Sequence, residues 1–173
     1  MFCTKDDDSV NPGECSDSFT QECDPQVDIS CKQLSMSDTR TLIFHLLYAM
    51  DSFDYQVSLE SIADNFSRGF NFTITPHDTV FCQAQAIIND RELLDAHIKP
   101  LLDNWRFERL GVCTRLIIRL AVWEFINTKT DPIIIINEAI ELAKCFAELD
   151  AYKFINGVLD EWLKRRPKIS EQA

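Results

Sequence analysis

Residues Asp131–Phe146 read DPIIIINEAIELAKCF, and the fold class turns on how they are read. Four consecutive isoleucines suit an extended strand, because β-branched side chains fit a pleated surface. The pattern does not stop there. Ile136, Ala139, Ile140 and Ala143 continue at spacings of three and four, which is the period of a helix face. Asp131 is placed to cap a helix start, and Pro132 suits a first helical position, where no backbone N–H is needed. The stretch is therefore read as a buried helix.

The same period runs outward in both directions. Leu116, Ile117, Leu120, Ala121 and Phe125 form the helix before it, and Phe154, Ile155, Val158, Leu159 and Trp162 form the one after it, over about 150–165. Further upstream, Val80, Phe81, Ala84, Ile87 and Ile88 make a stripe that continues through Leu94, Ile98, Leu101 and Trp105. Pro100 should interrupt it, since proline removes a helix donor and clashes with the preceding turn. "TPHD" (Thr75–Asp78) is read as its start, with Thr75 as cap and Asp78 reaching back. A short helix carries Leu59, Ile62, Ala63 and Phe66 and stops at Gly69. Leu42, Ile43, Leu46, Leu47 and Met50 form the first helix, with Asp38 or Thr39 as cap. "NFTIT" is brief and β-like and is read as a linker, and Gly111 as punctuation. The expectation is an all-α chain of about seven helices, with Leu46, Ile87, Leu120, Ile140 and Leu159 buried.

Composition agrees. Hydrophobic residues make up 46% of 173, enough for a core, and four glycines are too few for a turn-rich β-protein. No apolar run approaches the ~20 residues of a membrane span. "MFCTKDDDSV" has no basic stretch followed by an apolar one, so it is not read as a secretion signal. The chain is read as cytoplasmic, with reduced thiols: seven cysteines are an odd number with no C-x-x-C pair. Cys3, Cys15, Cys23 and Cys31 are spaced by 12, 8 and 8 residues without a nearby histidine, which matches no common zinc arrangement. No metal and no cofactor is expected. Residues 1–35 hold eight acids against Lys5 and Lys32 and show no periodicity. They are read as an acidic, disordered tail, either a solvated extension or a shield over a basic face. Residues 36–167 are read as the helical domain and 168–173 as a C-terminal tail.

No catalytic constellation is present. His45, His77 and His97 lie in separate segments, and no phosphate loop, G-x-S-x-G or H-E-x-x-H occurs. Glu124 shares the apolar stripe of Ile117, Leu120 and Ala121. A carboxylate facing a core must find donors, so it is expected to be buried and paired, either with backbone N–H groups or with a basic side chain. Arg115 and Arg119 sit one turn apart on the adjacent face, near the solvent boundary. They are read as a site for an acidic partner or phosphate, or as surface ion pairs.

The chain resembles the transcription antitermination factor NusB family. The resemblance rests on Leu94–Asp95, Ile98, Trp105, Glu108–Arg109–Leu110, Ile118–Arg119–Leu120–Ala121 and Glu124. It continues in Asn137–Glu138–Ala139, Glu141–Leu142–Ala143–Lys144 and Lys153–Phe154–Ile155–Asn156–Gly157–Val158–Leu159. The first helix, ending LLYAM, also fits, and the match covers about 38–165. The resemblance implies a fold of two small helical bundles and no enzymatic activity. It implies pairing with NusE, a ribosomal small-subunit protein, and joint binding of boxA-type RNA. The result is read-through in ribosomal RNA operons within the RNA polymerase antitermination complex.

Carried over residue by residue, the implied RNA contacts are Arg40, Tyr48, Asp150, Lys153 and Phe154. Arg40 is the one basic residue where the family has an arginine-rich helix start, and Asp38 there has the opposite sign. Tyr48 is read as a stacking aromatic or as a half-buried helix tyrosine, and Phe154 is equally accounted for by core packing. The implied partner face lies around the fourth and fifth helices, with Arg115 and Arg119. Thr114 stands where the family commonly has an acid. The alternative function is an adaptor of the same fold that binds protein while its RNA binding is weak or lost.

Overall fold

The computed structural model describes residues 29–30, 34–70, 72–102 and 105–165. Among them are seven α-helices: α1 (Met36–Ser52), α2 (Leu59–Phe70), α3 (Thr79–Asn89), α4 (Arg91–Ile98), α5 (Val112–Asn127), α6 (Pro132–Phe146) and α7 (Ala151–Arg165). Two short 3₁₀ turns, Lys99–Leu101 and Phe107–Arg109, lie between α4 and α5. The all-α reading holds, and the isoleucine run is helical.

The caps explain the boundaries. α1 begins at Met36, ahead of the stripe that starts at Leu42, and its cap is Ser35 rather than Asp38 or Thr39: Ser35 accepts from the Asp38 N–H at 3.0 Å while its hydroxyl donates to the Asp38 carboxylate. Asp131 caps α6 as expected, accepting from the Ile133 N–H at 2.8 Å, with Pro132 in the first turn. "TPHD" behaves differently. Asp78 does reach back, accepting from both the N–H and the hydroxyl of Thr75 at 2.7 and 2.8 Å. Those bonds close a turn over Pro76 and His77, so α3 starts only at Thr79. The long stripe after it breaks twice. The chain turns at Asp90 between α3 and α4, and Pro100 is accommodated in the first 3₁₀ turn.

Two residues of the linker at "NFTIT" form a strand. Phe72–Thr73 pairs in parallel with Ile29–Ser30. Ile29–Ser30 thus has a fixed place in the fold. The remainder of the acidic stretch before Leu34, and the C-terminal stretch 168–173, lie outside the described residues.

One continuous core runs through all seven helices. α5 lies at its centre, packing against α1, α4, α6 and α7. Leu116, Ile117, Ile118, Leu120 and Val122 are at most 2% exposed, so this helix is apolar on nearly every side. Leu46, Ile87 and Leu159 are buried as expected, whereas Ile140 is only partly covered. The run of isoleucines divides. Ile135 and Ile136 enter the core, and Ile133 and Ile134 face outward at 67% and 49% exposure, as a helix turning by 100° per residue requires. Trp105, read as part of an inward stripe, is 60% exposed because the helix has ended before it.

Leu120→Ala should destabilise the fold by about 2–5 kcal/mol, from lost transfer energy and the cavity left behind. Urea unfolding followed by circular dichroism measures it. A loss under ~0.5 kcal/mol would place α5 outside the core.

Candidate nucleic-acid interface

The three arginines singled out by sequence are all engaged by carboxylates, Arg40 and Arg119 buried and Arg115 half-buried. Arg40 lies one turn into α1 and is 5% exposed. Its Nε donates to both Glu124 carboxylate oxygens at 2.8 and 3.1 Å, and its Nη2 donates to Oε2 at 2.9 Å. Nη1 reaches the Met36 carbonyl at 3.4 Å and stands 3.8 Å from Glu138 of α6. This corrects the reading of Arg40 as a surface phosphate contact. The helix turn that carries it faces α5, and a guanidinium buried there has to meet a carboxylate. Glu124 is buried and paired with a basic side chain, one of the two partnerships its stripe implied.

Arg115, half-buried, and Arg119, buried, are both held in ion pairs, one of the readings the sequence left open for them. Arg119 is 6% exposed and forms a bidentate pair with Asp95 of α4, at 2.6 and 2.7 Å. Its Nη1 also donates to the Tyr55 hydroxyl at 3.1 Å, and that hydroxyl donates to Asp51 at 3.0 Å. Arg115 donates to both Asp51 carboxylate oxygens at 3.1 Å. Burial pulls the Arg119 pKa down, but its bond and charge attraction to Asp95 outweigh this, and the net shift is upward. Burial pushes the Tyr55 hydroxyl up, partly opposed by the Arg119 charge. The network ties α1, α4 and α5 together. It was hidden in sequence because Asp51 and Asp95 are 64 and 24 residues away from their partners.

The other sequence-predicted residues gather on the surface around the α6–α7 turn. Tyr48 of α1 is 45% exposed and lies 6.3 Å, ring to ring, from Phe44. Phe44 stacks on Phe146 at the end of α6 at 5.0 Å, and His45 meets the same ring edge-on. Burial among these rings lowers the His45 pKa. After Phe146 the chain turns through Glu148, Leu149 and Asp150. Asp150 has φ 66°, a left-handed conformation that aspartate tolerates better than most residues. It pairs with Lys153 one turn into α7 at 2.8 Å, and this bond raises the Lys153 pKa. The Lys153 ammonium also lies 5.6 Å from the Tyr152 ring. Phe154 is partly buried and packs against the core, yet its ring also meets exposed Trp105 at 5.5 Å.

Between the second 3₁₀ turn, the start of α5 and the α6–α7 turn runs an open groove of about 480 Å³. Trp105, Arg109, Leu149, Asp150 and Phe154 line it, with Thr114 and Glu148 at its side. Thr114, at the position of an expected acid, donates to the Glu148 carboxylate at 2.9 Å. A carboxylate is thus present at that point, supplied from the α6–α7 turn rather than from α5. It lies so close to Gly111 that a Cβ added there would collide with it.

Sequence reasoning missed Glu148, Leu149, Tyr152 and Arg109 as surface features. Leu149 carried the clearest signal: it is an apolar residue between two acids in a turn, and it is 96% exposed. Among the described residues no cluster of histidine, cysteine and acids is arranged to hold a metal. None of the described helices is long and apolar enough to cross a membrane.

Residues 37–164 match the model of the NusB family. The transcription antitermination protein NusB of Macrococcus caseolyticus is 33% identical over 135 residues, covering 77% of this chain and 99% of that protein. That of Sulfurovum sp. is 38% identical over 128 residues, covering 70% and 92%. The structure of T. maritima NusB superposes with a TM-score of 0.65 at 26% identity, covering 76% of this chain and 92% of that one. A structure of the antitermination factors NusB and NusE in complex with double-stranded RNA shares the fold, with a TM-score of 0.62 at 24% identity over 74% and 95%.

Replacing Arg40 by Met strands a buried carboxylate and should cost about 3–5 kcal/mol. The double variant Arg40→Met/Glu124→Leu should recover most of that, because both charges leave the core together. A double-mutant cycle by urea unfolding tests this. Equal stability of the single variant and the parent protein would show that the pair does not hold α1 against α5.

Proposed function

The chain belongs to the NusB family, and on that premise we propose that it is a non-catalytic antitermination factor of the cytoplasm. It binds boxA-type RNA jointly with a NusE-type ribosomal protein and acts within the RNA polymerase antitermination complex to promote read-through in ribosomal RNA operons. The observation that carries this reading is the aromatic and cationic strip around the α6–α7 turn. Tyr48 and Lys153 are exposed there, Tyr152 and Phe154 are half-buried, and Phe154 lines the groove. Unpaired RNA bases are recognised by stacking on such rings, and a nearby ammonium meets the phosphates. Asp150 positions the Lys153 ammonium through their ion pair.

A second reading is favoured by one specific observation. The helix start that should carry several arginines carries only Arg40, and its guanidinium is inside the protein. Phosphate contacts supply much of the affinity for nucleic acid, so RNA binding by this chain alone should be weak. On the second reading the chain is a protein-binding adaptor in which RNA contact has been lost.

Fluorescence anisotropy of a labelled boxA-like RNA over a salt series separates the two. The chain alone should bind weakly, and addition of a NusE-type protein should tighten binding. Phe154→Ala should weaken the joint complex by about 1–3 kcal/mol through lost stacking. Deleting residues 1–28 should strengthen binding, since it removes eight acids against one lysine and leaves the Ile29–Ser30 pairing and the Ser35 cap in place. Tight, steeply salt-dependent binding without the partner would defeat the requirement for one. A partner complex that ignores RNA would leave the adaptor.

A further inference from the structure

Half of the isoleucine run in α6 has no role in the core. Ile133 and Ile134 are 67% and 49% exposed, and Met36 at the start of α1 is 63% exposed. Single apolar side chains at a surface need no explanation, but a contiguous group of them marks an interface. Three elements bring these together. Arg40 pairs with Glu124 and Arg115 with Asp51, so α1 runs antiparallel to α5. α6 follows α5 after a connection over 128–131 and packs back along it, so α1 and α6 run in the same direction.

The two helix starts meet at Arg40, whose Nη1 lies 3.4 Å from the Met36 carbonyl and 3.8 Å from Glu138. Met36 is one turn before Arg40, and Ile134 is one turn before Glu138, so both stand at the same end of the fold. Ile133 adjoins Ile134 on the exposed side of α6. On the other side of Met36 an open groove of about 270 Å³ separates the starts of α1 and α3. Leu34, Met36 and Val80 line it, with His77 and Asp78 among its polar residues. The surroundings are acidic. Stretches 34–41, 75–83 and 127–144 hold Asp38, Asp78, Asp131, Glu138 and Glu141. Their cations are Arg40, Lys129 and Lys144. Arg40 is buried against Glu124, and Lys144 is paired with Glu141 at 2.7 Å.

From this arrangement we propose that Met36, Ile133 and Ile134 form a docking surface for a cationic amphipathic helix of a protein partner. Its apolar stripe covers the three side chains, and its lysines or arginines meet the acids around them. An amphipathic helix laid on an apolar surface is a recurring mode of recognition, and complementary charge at the rim steers its approach. The acidic rim also decides against the other occupants. It repels RNA, it repels the chain's own residues 1–28 with their eight acids and one lysine, and a second copy would bring two acidic rims together. The proposal goes beyond the RNA-binding reading and does not depend on it. Met36 lies twelve residues before Tyr48 on α1, about 18 Å along the helix, so both partners can be held at once.

The test uses the full chain and a labelled leucine–lysine peptide of about 18 residues, five turns of an amphipathic helix. Fluorescence anisotropy should show binding of this peptide, and much weaker binding of a scrambled peptide without an apolar stripe and of a leucine–glutamate version. Ile133→Gln/Ile134→Gln should weaken the complex by roughly tenfold or more, since it removes apolar surface without changing charge. Ile133→Gln alone, at the most exposed position, should cost about threefold and keeps the test valid if the double variant unfolds. Asp38→Asn/Glu141→Gln should weaken it by about twofold to fivefold, and the exposed pair Glu60→Gln/Asp64→Asn on α2 should not. In an isoleucine-methyl-labelled chain the Ile133 and Ile134 resonances should move on adding the peptide. Equal binding of the scrambled peptide, unchanged affinity in the isoleucine variants, or methyl shifts confined to other isoleucines overturns the proposal. So does a boxA-like RNA that moves the same two methyls, or a concentration-dependent dimer that Ile133→Gln abolishes. Peptide binding that appears only after deletion of residues 166–173 also overturns it, because the surface would then belong to the chain's own basic end.

Discussion

A guanidinium and a carboxylate, closed off from water between the first helix and the fifth, set the geometry of the whole molecule. Arg40 and Glu124 are each desolvated at a cost of several kcal/mol, and that cost is offset only while their bidentate geometry is kept. An apolar seam tolerates small slips of one helix along another, whereas a three-bond pair in a dry core does not. The rotation of α1 and its height along α5 are therefore fixed at one point. With α1 fixed, Phe44 is set against Phe146 at the end of α6, and Tyr48 stands beside Phe44 one turn further on. The Arg119–Asp95 pair does the same for α4. Both pairs take their charge from α5, whose remaining surface is almost wholly apolar.

The helices were legible in sequence because burial imposes a period of 3.6, and that period is a property of a single segment. Asp131 and Pro132 announced α6 correctly for the same local reason. Arg40 was misread, and Arg115 and Arg119 were left open between a partner site and ion pairs, because the property that matters for them is not local. Whether an arginine is a surface contact or an internal strut depends on a carboxylate supplied from elsewhere in the chain. Glu124 was the exception. A carboxylate within an apolar stripe declares its need for a partner, though not which one. Boundaries failed where side chains competed with helical hydrogen bonds, as when the Asp78 carboxylate closed a turn over Pro76 and delayed α3. Trp105 failed because its stripe continued in sequence after the helix had ended in space.

The site itself was half legible. Lys153, Phe154, Asp150 and Tyr48 came from resemblance to a family, and the fold brings them around one turn. The groove beside them could not be read, since Trp105, Arg109 and Glu148 come from two connections between helices, and connections carry no period. The structure also separates two roles for positive charge in this chain. Some cations neutralise internal acids and shape the fold. Others remain exposed, and their arrangement differs from that expected for the family's helix start.

Gly111 illustrates a quieter form of selection. Its φ of −55° is open to any residue, so backbone freedom does not require a glycine there. What the missing side chain leaves room for is the end of Glu148, a flexible and exposed residue. Alanine at this position would leave the fold standing and merely evict the carboxylate from Thr114. The absent side chain thus acts at a distance from the backbone: it leaves the space in which a negative charge stands beside the groove, and any larger residue at 111 takes that space and displaces the charge.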